Sequence, residues 1–202
     1  MKKIITVGRE FGSGGRELGR RLAEELGFEY YDKEIVSEIA KKTSLSEGYV
    51  KSVLESKPHQ LYPITIGRTM AIVGDYQFSQ LQTVYQAQDS IIKDLASKSD
   101  CVIVGRCADY ILREHDPYRI FVYADMESRL RRCRERAVEG EDLSEKALKQ
   151  HIQDIDKGRA KYYDFYTGQK WGAKENYDLL LNTTDRDIKS LVPHLANLIR
   201  NM

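Results

Sequence analysis

A short β-branched run at 4–7 passes directly into the turn Gly8-Arg-Glu-Phe-Gly12-Ser-Gly14-Gly15, and that turn passes directly into an amphipathic stripe. Leu18, Leu22, Ala23 and Leu26 fall at i, i+4, i+5 and i+8, the spacing of one helix face. A helix is therefore expected over 17–26, with Gly27 as the residue that ends it. Strand, glycine turn and helix in this order open a βαβ unit, because parallel neighbours need a crossover between them. Three glycines in four residues are more than a plain turn requires. Glycines let successive backbone N–H groups approach an anion with no Cβ in the way, and a helix N-terminus adds partial positive charge.

The rest of the chain repeats the alternation. Apolar runs predict strands at 28–31, 101–104, 120–123 and 177–181. Helical spacing predicts helices at 33–42, 46–56, 77–97, 127–138 and 188–199. Asp142-Leu-Ser-Glu145 reads as an Asp-led capping box opening a further helix to about 160. Residues 43–75 give little pattern beyond the helix at 46–56. Strands alternating with helices predict an α/β fold: a central parallel sheet of about five strands covered on both faces, three αβα layers in all. The unbroken apolar run Cys101-Val-Ile-Val104 suits a strand buried on both faces. No repeat, low-complexity tract or Pro-rich linker divides the chain, so residues 1–202 are expected to form one domain.

Composition excludes other classes. Against 32 Lys and Arg stand 31 Asp and Glu, a net charge of +1, which disfavours a nucleic-acid coat or a polybasic membrane binder. No apolar run approaches the roughly 18–20 residues of a membrane span. The apolar stretch near the start stops at Gly8, too early for a signal peptide. Cys101, Cys107 and Cys133 are odd in number and form no CxxC, which fits a reducing cytoplasm better than a disulfide framework. His59, His115, His151 and His194 are scattered, so no metal site is expected.

Two phosphate-binding patterns compete for the glycine turn. A dinucleotide fingerprint, GxGxxG, begins at Gly12-Ser-Gly14 but meets Glu17 at its third glycine; Asp32 stands 20 residues after Gly12, where a ribose-binding acid belongs. The P-loop pattern, GxxxxGK followed by Ser or Thr, also fails literally. With Gly14 as its sixth residue, Arg9 takes the place of the first glycine and Gly15 that of the lysine; with Gly15 as the sixth, Arg16 takes the lysine position and Glu10 the first glycine's.

The segments Ile5-Thr-Val-Gly-Arg-Glu-Phe-Gly-Ser-Gly-Gly-Arg-Glu-Leu-Gly19, Tyr31-Asp-Lys-Glu34, Val102-Ile-Val-Gly-Arg106, Tyr162-Tyr163, Trp171 and Tyr177-Asp-Leu-Leu-Leu-Asn-Thr183 resemble the cytidylate kinase-like proteins, a branch of the P-loop nucleoside monophosphate kinases. The resemblance implies a P-loop kinase fold and transfer of a phosphoryl group from ATP, with Mg2+, to a nucleoside monophosphate or related small acceptor. It implies a phosphate-binding loop of Gly12, Ser13, Gly14, Gly15, Arg16 and Glu17, with Gly15 standing at the usual lysine and Glu17 at a magnesium-binding threonine. Arg106, Asp32 and Asp109 would hold the acceptor with a helical insert at 43–85. The family's Gly-Arg-Asp triplet reads Gly105-Arg106-Cys107 here, with Asp109 two residues on. Residues 129–160 would form the lid.

Phosphoryl transfer needs cations against the phosphate oxygens, preferably guanidinium forks. Arg129, Arg131, Arg132, Arg134 and Arg136 crowd eight positions, and Arg129, Arg132 and Arg136 share one helix face. Arg132, Arg136 and Arg159 are expected to close over the transferring group, and Arg16 or Arg9 to replace the absent lysine. Each has a plainer reading: a solvated charge run for the arginine cluster, a carbonyl-capping residue for Arg159, a helix N-cap for Asp32, a small turn residue for Ser13. The tyrosines at 162, 163 and 166 with Trp171 are expected to pack as core. A nucleotide-binding module without turnover, motivated by Gly15, and a dinucleotide-dependent oxidoreductase, motivated by Gly12, Gly14 and Asp32, are the alternatives. Residues 43–85 hold enough apolar surface for a homodimer contact.

Overall fold

The computed structural model describes residues 2–55, 64–66, 69–71, 75–137 and 143–202, with side chains outside 55–79. In chain order its elements are β1 (Ile4–Arg9), α1 (Gly15–Leu26), β2 (Glu29–Tyr31), α2 (Glu34–Thr43), α3 (Glu47–Glu55), β3 (Ile64–Ile66), β4 (Thr69–Ala71), α4 (Asp75–Lys98), β5 (Cys101–Val104), α5 (Ala108–Ile111), β6 (Tyr118–Tyr123), α6 (Met126–Glu135), α7 (Glu145–Thr167), β7 (Leu179–Asn182) and α8 (Ile188–Arg200).

Five strands form one parallel sheet in the order β2-β5-β1-β6-β7. Alternate side chains of each strand face opposite layers. Ile4, Cys101 and Ile103 enter a core with Ile35 and Ile39 of α2, Val50 of α3, Val84 and Ile92 of α4, Ile111 of α5 and Tyr162 and Tyr163 of α7. Ile5, Val7, Val102, Val104, Ile120 and Val122 enter the other core, against Leu18 and Leu22 of α1 and Val192, Leu195 and Ile199 of α8. The expected three-layer αβα arrangement is present; of the aromatic residues after Arg159, Tyr162 and Tyr163 are core, Tyr166 and Trp171 pack against it partly buried, and Phe165 is exposed, with Tyr162 packed on Tyr166 and Tyr166 stacked on Tyr85 with centroids 4.2 Å apart.

Several boundaries differ from expectation for local reasons. β1 continues to Arg9 because Gly8 and Arg9 keep register with Phe121 and Val122 of β6. α1 starts at Gly15, earlier than its apolar stripe. α7 is capped by Ser144, whose Oγ accepts from the Ala147 N–H at 3.3 Å; Asp142, the expected cap, lies outside the described residues, as do residues 138–142 of the lid expected at 129–160, whose tip was expected at 137–145. α7 also runs on to Thr167 rather than ending near 160, because Tyr162 and Tyr163 extend its buried face. The 43–85 segment holds α3, the start of α4 and an antiparallel pair, β3 with β4, that no pattern in the sequence suggested; its residues 56–63, 67–68 and 72–74 lie outside the described residues.

The order of the sheet decides between the two phosphate patterns. In the dinucleotide-binding order the second strand lies beside the first. Here β5 lies between β1 and β2, so the oxidoreductase expectation is not met by the topology. The carboxyl ends of β1, β2 and β5 lie side by side at one edge of the sheet, where open α/β sheets place their ligands.

Candidate functional site

The loop after β1 rises at that edge. Gly12 and Gly14 have φ of 79° and 85°, the left-handed region that a β-carbon disfavours. Gly14 caps α1 with no side-chain hydrogen bond, so the first-turn N–H groups face the loop mouth without a protein cap. Ser13 is fully buried, and its hydroxyl donates to the Glu10 carbonyl at 2.9 Å. Its proton is used inside the turn, which corrects the expectation that it would reach a phosphate: a buried hydroxyl takes the nearest acceptor.

Two guanidinium groups, Arg9 and Arg16, approach one carboxylate here, and Arg106 and Arg159 lie within electrostatic reach of Arg9, Arg159 also pairing with Asp156 at 3.5 Å. Asp32, at the end of β2, is buried; its Oδ2 lies 2.6 Å from Arg16 Nε and its Oδ1 3.7 Å from Arg9. The helix-cap reading of Asp32 is set aside, because Lys33 occupies the cap of α2 and Asp32 turns inward. Arg159, from the middle of α7, donates to the Arg9 carbonyl at 3.3 Å and lies over the Phe11 ring at 5.6 Å. Its position also removes the carbonyl-capping reading, since no helix ends there. Arg106 follows β5 on a turn in which Gly105, Arg106 and Cys107 all have positive φ, a costly conformation for the two non-glycine residues. Its Nε is buried with no hydrogen-bond partner, and its carbonyl accepts from Gln88 at 3.0 Å. Burial first, then the fields of Arg159, Arg106 and Arg16 against the single opposing charge of Asp32, hold the Arg9 guanidinium below its ordinary pKa. The site carries more positive charge than its own acids balance.

The arginines of α6 act elsewhere. Arg129 is buried; its Nε donates to the Phe11 carbonyl at 2.7 Å, and it pairs with Asp156 and, at 3.3 Å, with Glu10. Arg132 is buried too, donating to the carbonyls of Ser13, Thr183 and Arg186. Arg132 was expected to close over the transferring group and Arg129 to belong to the lid. Both instead hold the loop from behind, because a buried guanidinium needs acceptors for its five donors and the turn's carbonyls are the nearest. Arg136 alone of the shared face stands at the mouth, half exposed and paired with Glu17, which also accepts from Arg21 at 2.8 Å. Asp109 lies apart from the cluster: buried, it accepts from the Tyr163 hydroxyl at 2.6 Å and ties α5 to α7, and burial raises its pKa.

Sequence reasoning missed three residues that shape the loop. Asp156 accepts from the Phe11 N–H at 2.8 Å, Glu10 accepts from the Ala124 N–H at 3.2 Å, and Thr183 donates to the Ser13 carbonyl at 2.7 Å. The acidic pair Asp154 and Asp156 before Arg159 was visible; nothing local marked Thr183, 170 residues from its partner. Burial raises the pKa of both Glu10 and Asp156 against the opposing pull of Arg129.

A cavity of about 370 Å³ opens beside the first turn of α1, lined by Arg16, Glu17, Arg20, Tyr30, Asp32 and Arg136 among others. Among the described residues no group of three or more His, Cys, Asp and Glu side chains is placed to hold a metal ion. Of the acids there, Asp32 is paired with Arg16 and Arg9, Glu17 with Arg21 and Arg136, and Glu34 accepts from the Asp32 N–H at 3.2 Å. These residues do not fit a protein-held magnesium ion. No helix among them is long and apolar enough to cross a membrane.

The model of the cytidylate kinase-like family matches residues 4–185. The chain belongs to the cytidylate kinase-like family. No protein of curated function matches it. Among solved structures, an uncharacterized protein from Eubacterium ventriosum ATCC 27560 is similar over the whole of both chains, with 26% identity and a TM-score of 0.72. A shikimate kinase from Bacteroides thetaiotaomicron is similar over 98% of each chain at 15% identity, TM-score 0.58. A gluconokinase from Sinorhizobium meliloti 1021 is similar over 98% of this chain and 94% of its own at 14% identity, TM-score 0.52. These last two share the P-loop kinase fold with this cytidylate kinase-like chain.

Proposed function

We propose that the protein is an ATP-dependent phosphotransferase acting on a small acceptor, a nucleoside monophosphate or a comparably small phosphorylatable molecule. The observation that carries the reading is the uncapped first turn of α1 beside a cluster of four guanidinium groups, two of which, Arg9 and Arg16, are paired with one carboxylate, Asp32. Donor phosphates would lie on the N–H groups of the glycine loop, with Arg16 and Arg136 at the mouth. Arg106 at the end of β5 would meet the acceptor, and Arg159 would neutralise charge that develops on the transferring group. In such transfers positioning and charge neutralisation supply most of the catalysis. Magnesium would enter with the nucleotide, held by ligands from the nucleotide and water rather than by this chain. Membership of the family supports the nucleotide; the shikimate kinase and gluconokinase folds keep acceptors other than CMP in view.

The pairing of Glu17 with Arg21 and Arg136, where the family pattern expects a threonine, supports a second reading, a nucleotide-binding module without turnover. One assay separates the two. The protein is incubated with ATP, magnesium and a panel of nucleoside monophosphates, hydroxy acids and sugars, and ADP is measured. Acceptor-dependent ADP supports the transferase. ATP binding with no ADP from any acceptor supports the module and sinks the transferase.

A further inference from the structure

We propose that this chain has exchanged the two ends of the P-loop pattern: Arg9, on the strand, supplies the cation that GxxxxGK places at its seventh position, and Gly15 supplies the glycine that it places first. The proposal rests on the phosphate-binding reading above and deepens it.

With Gly14 as the sixth residue of the pattern, Arg9 is the first and Gly15 the seventh. The two positions touch. A β-carbon on residue 15 would lie 2.5 Å from Arg9 Cβ and 3.1 Å from its Cγ, far inside the roughly 3.5–4.0 Å at which carbon atoms rest. Positions 9 and 15 therefore admit one side chain between them. Gly15 does not have a positive φ, so its backbone makes no demand for glycine; the demand comes first from the arginine beside it and second from Val122, whose Cβ would lie 3.2 Å away.

The head of the side chain is cleared in the same way. A β-carbon on Gly105 would fall 1.7 Å from Arg9 Nη1 and 2.8 Å from Cζ. Two glycines on two different elements thus leave a channel for one side chain, Gly15 beside its stem and Gly105 beside its guanidinium. Gly105 has φ of 74° and would favour glycine for that reason alone; Gly15 is the informative one. The channel ends among Arg16, Arg106 and Arg159. The nearest carboxylate oxygen, Asp32 Oδ1, is 3.7 Å away, beyond hydrogen-bond reach, and is itself buried without a hydrogen-bond partner. A guanidinium at the end of β1, whose stem lies against the first residue of an uncapped helix, would offer its donors to an anion resting on that helix.

Two measurements test the exchange. The first is a stability cycle with no ligand. Gly15→Ala is expected to lower Tm in the Arg9 background and to lower it much less once Arg9→Gly has removed the nearer opposing β-carbon, Val122 Cβ at 3.2 Å being the contact that remains. Equal effects in both backgrounds overturn the steric half of the proposal. The second is calorimetric binding of ATP and of inorganic tripolyphosphate. Arg9→Met, which keeps the stem and removes the charge, is expected to weaken both ligands by roughly tenfold or more. Gly15→Lys in the Arg9→Gly background is expected to recover most of what Arg9→Gly loses. Wild-type affinity in Arg9→Met, or a double variant no tighter than Arg9→Gly, overturns the exchange while leaving the nucleotide reading in place. Tripolyphosphate binding without ATP binding overturns the nucleotide reading, and the exchange is then decided on tripolyphosphate with the same variants. A wild type that binds neither overturns both.

Discussion

Residues of one type do two different jobs here, and burial with partner chemistry separates them. Arg129 and Arg132 are buried against loop carbonyls and acids, so removing either leaves buried acceptors unmatched. Arg129→Met and Arg132→Met are each expected to cost about 3 kcal/mol in urea unfolding, in line with broken buried networks. Arg136 pairs with Glu17 at the surface, so Arg136→Ala is expected to cost under about 1 kcal/mol. A stability loss in Arg136→Ala as large as that in Arg129→Met would contradict this division. The sequence put all three on one helix face, which is a statement about direction alone. It carries no depth, and depth is what assigned them to different work. Asp32 shows the same limit. Its place at a strand end was readable, but the two arginines that claim it approach from β1 and α1, and only packing shows that they converge.

At the scale of elements, the helix termini are dealt with differently. Asp125 caps α6 by accepting from the Ser128 N–H at 2.8 Å, and Asp187 caps α8 from two N–H groups. Asp125→Ala is expected to cost about 1 kcal/mol, measured by thermal unfolding. α1 has no such cap. Tripolyphosphate is therefore expected to slow amide hydrogen exchange in the first turn of α1, at 15–17, while leaving the first turn of α8 unchanged; equal slowing at both would mean a global effect rather than a site. The helices and strands of the sheet were legible because their apolar periods are long and regular. The β3–β4 pair was not: β2 is equally short, but it stands between two helical stripes, where the alternation calls for a strand, and the pair at 64–71 stands outside that alternation. The cap of α7 went to Ser144 where Asp142 was expected, because two polar residues within one turn satisfy the capping pattern equally well before the helix start is known.

For the molecule as a whole, acid sensitivity follows from how its carboxylates are held. Arg119 donates to Asp178 from Nε at 3.0 Å and from Nη2 at 2.8 Å, linking the start of β6 to the residue before β7, and this hydrogen bonding holds the Asp178 pKa below its usual value. A lowered folded-state pKa gives stability that is present above the unfolded value of about 4 and is lost as pH falls through the folded one. Asp178→Asn is thus expected to lower Tm at neutral pH and to converge with the wild type in acid; curves that stay parallel to pH 2 would contradict the assignment. Glu10 and Asp156 shift the other way through burial and so do not add to this acid loss.

The two buried arginines of α6 also set the polarity of the glycine loop. In a trans peptide the carbonyl of one residue and the N–H of the next point in opposite directions. Arg129 holds the Phe11 carbonyl and Arg132 the Ser13 carbonyl, both toward α6. The Gly12 and Gly14 N–H groups must then turn the other way. A helix more than 110 residues downstream thus orients the dipoles of the loop before any ligand arrives, and its cations favour an anion by aligning peptide planes they share with it rather than by touching it.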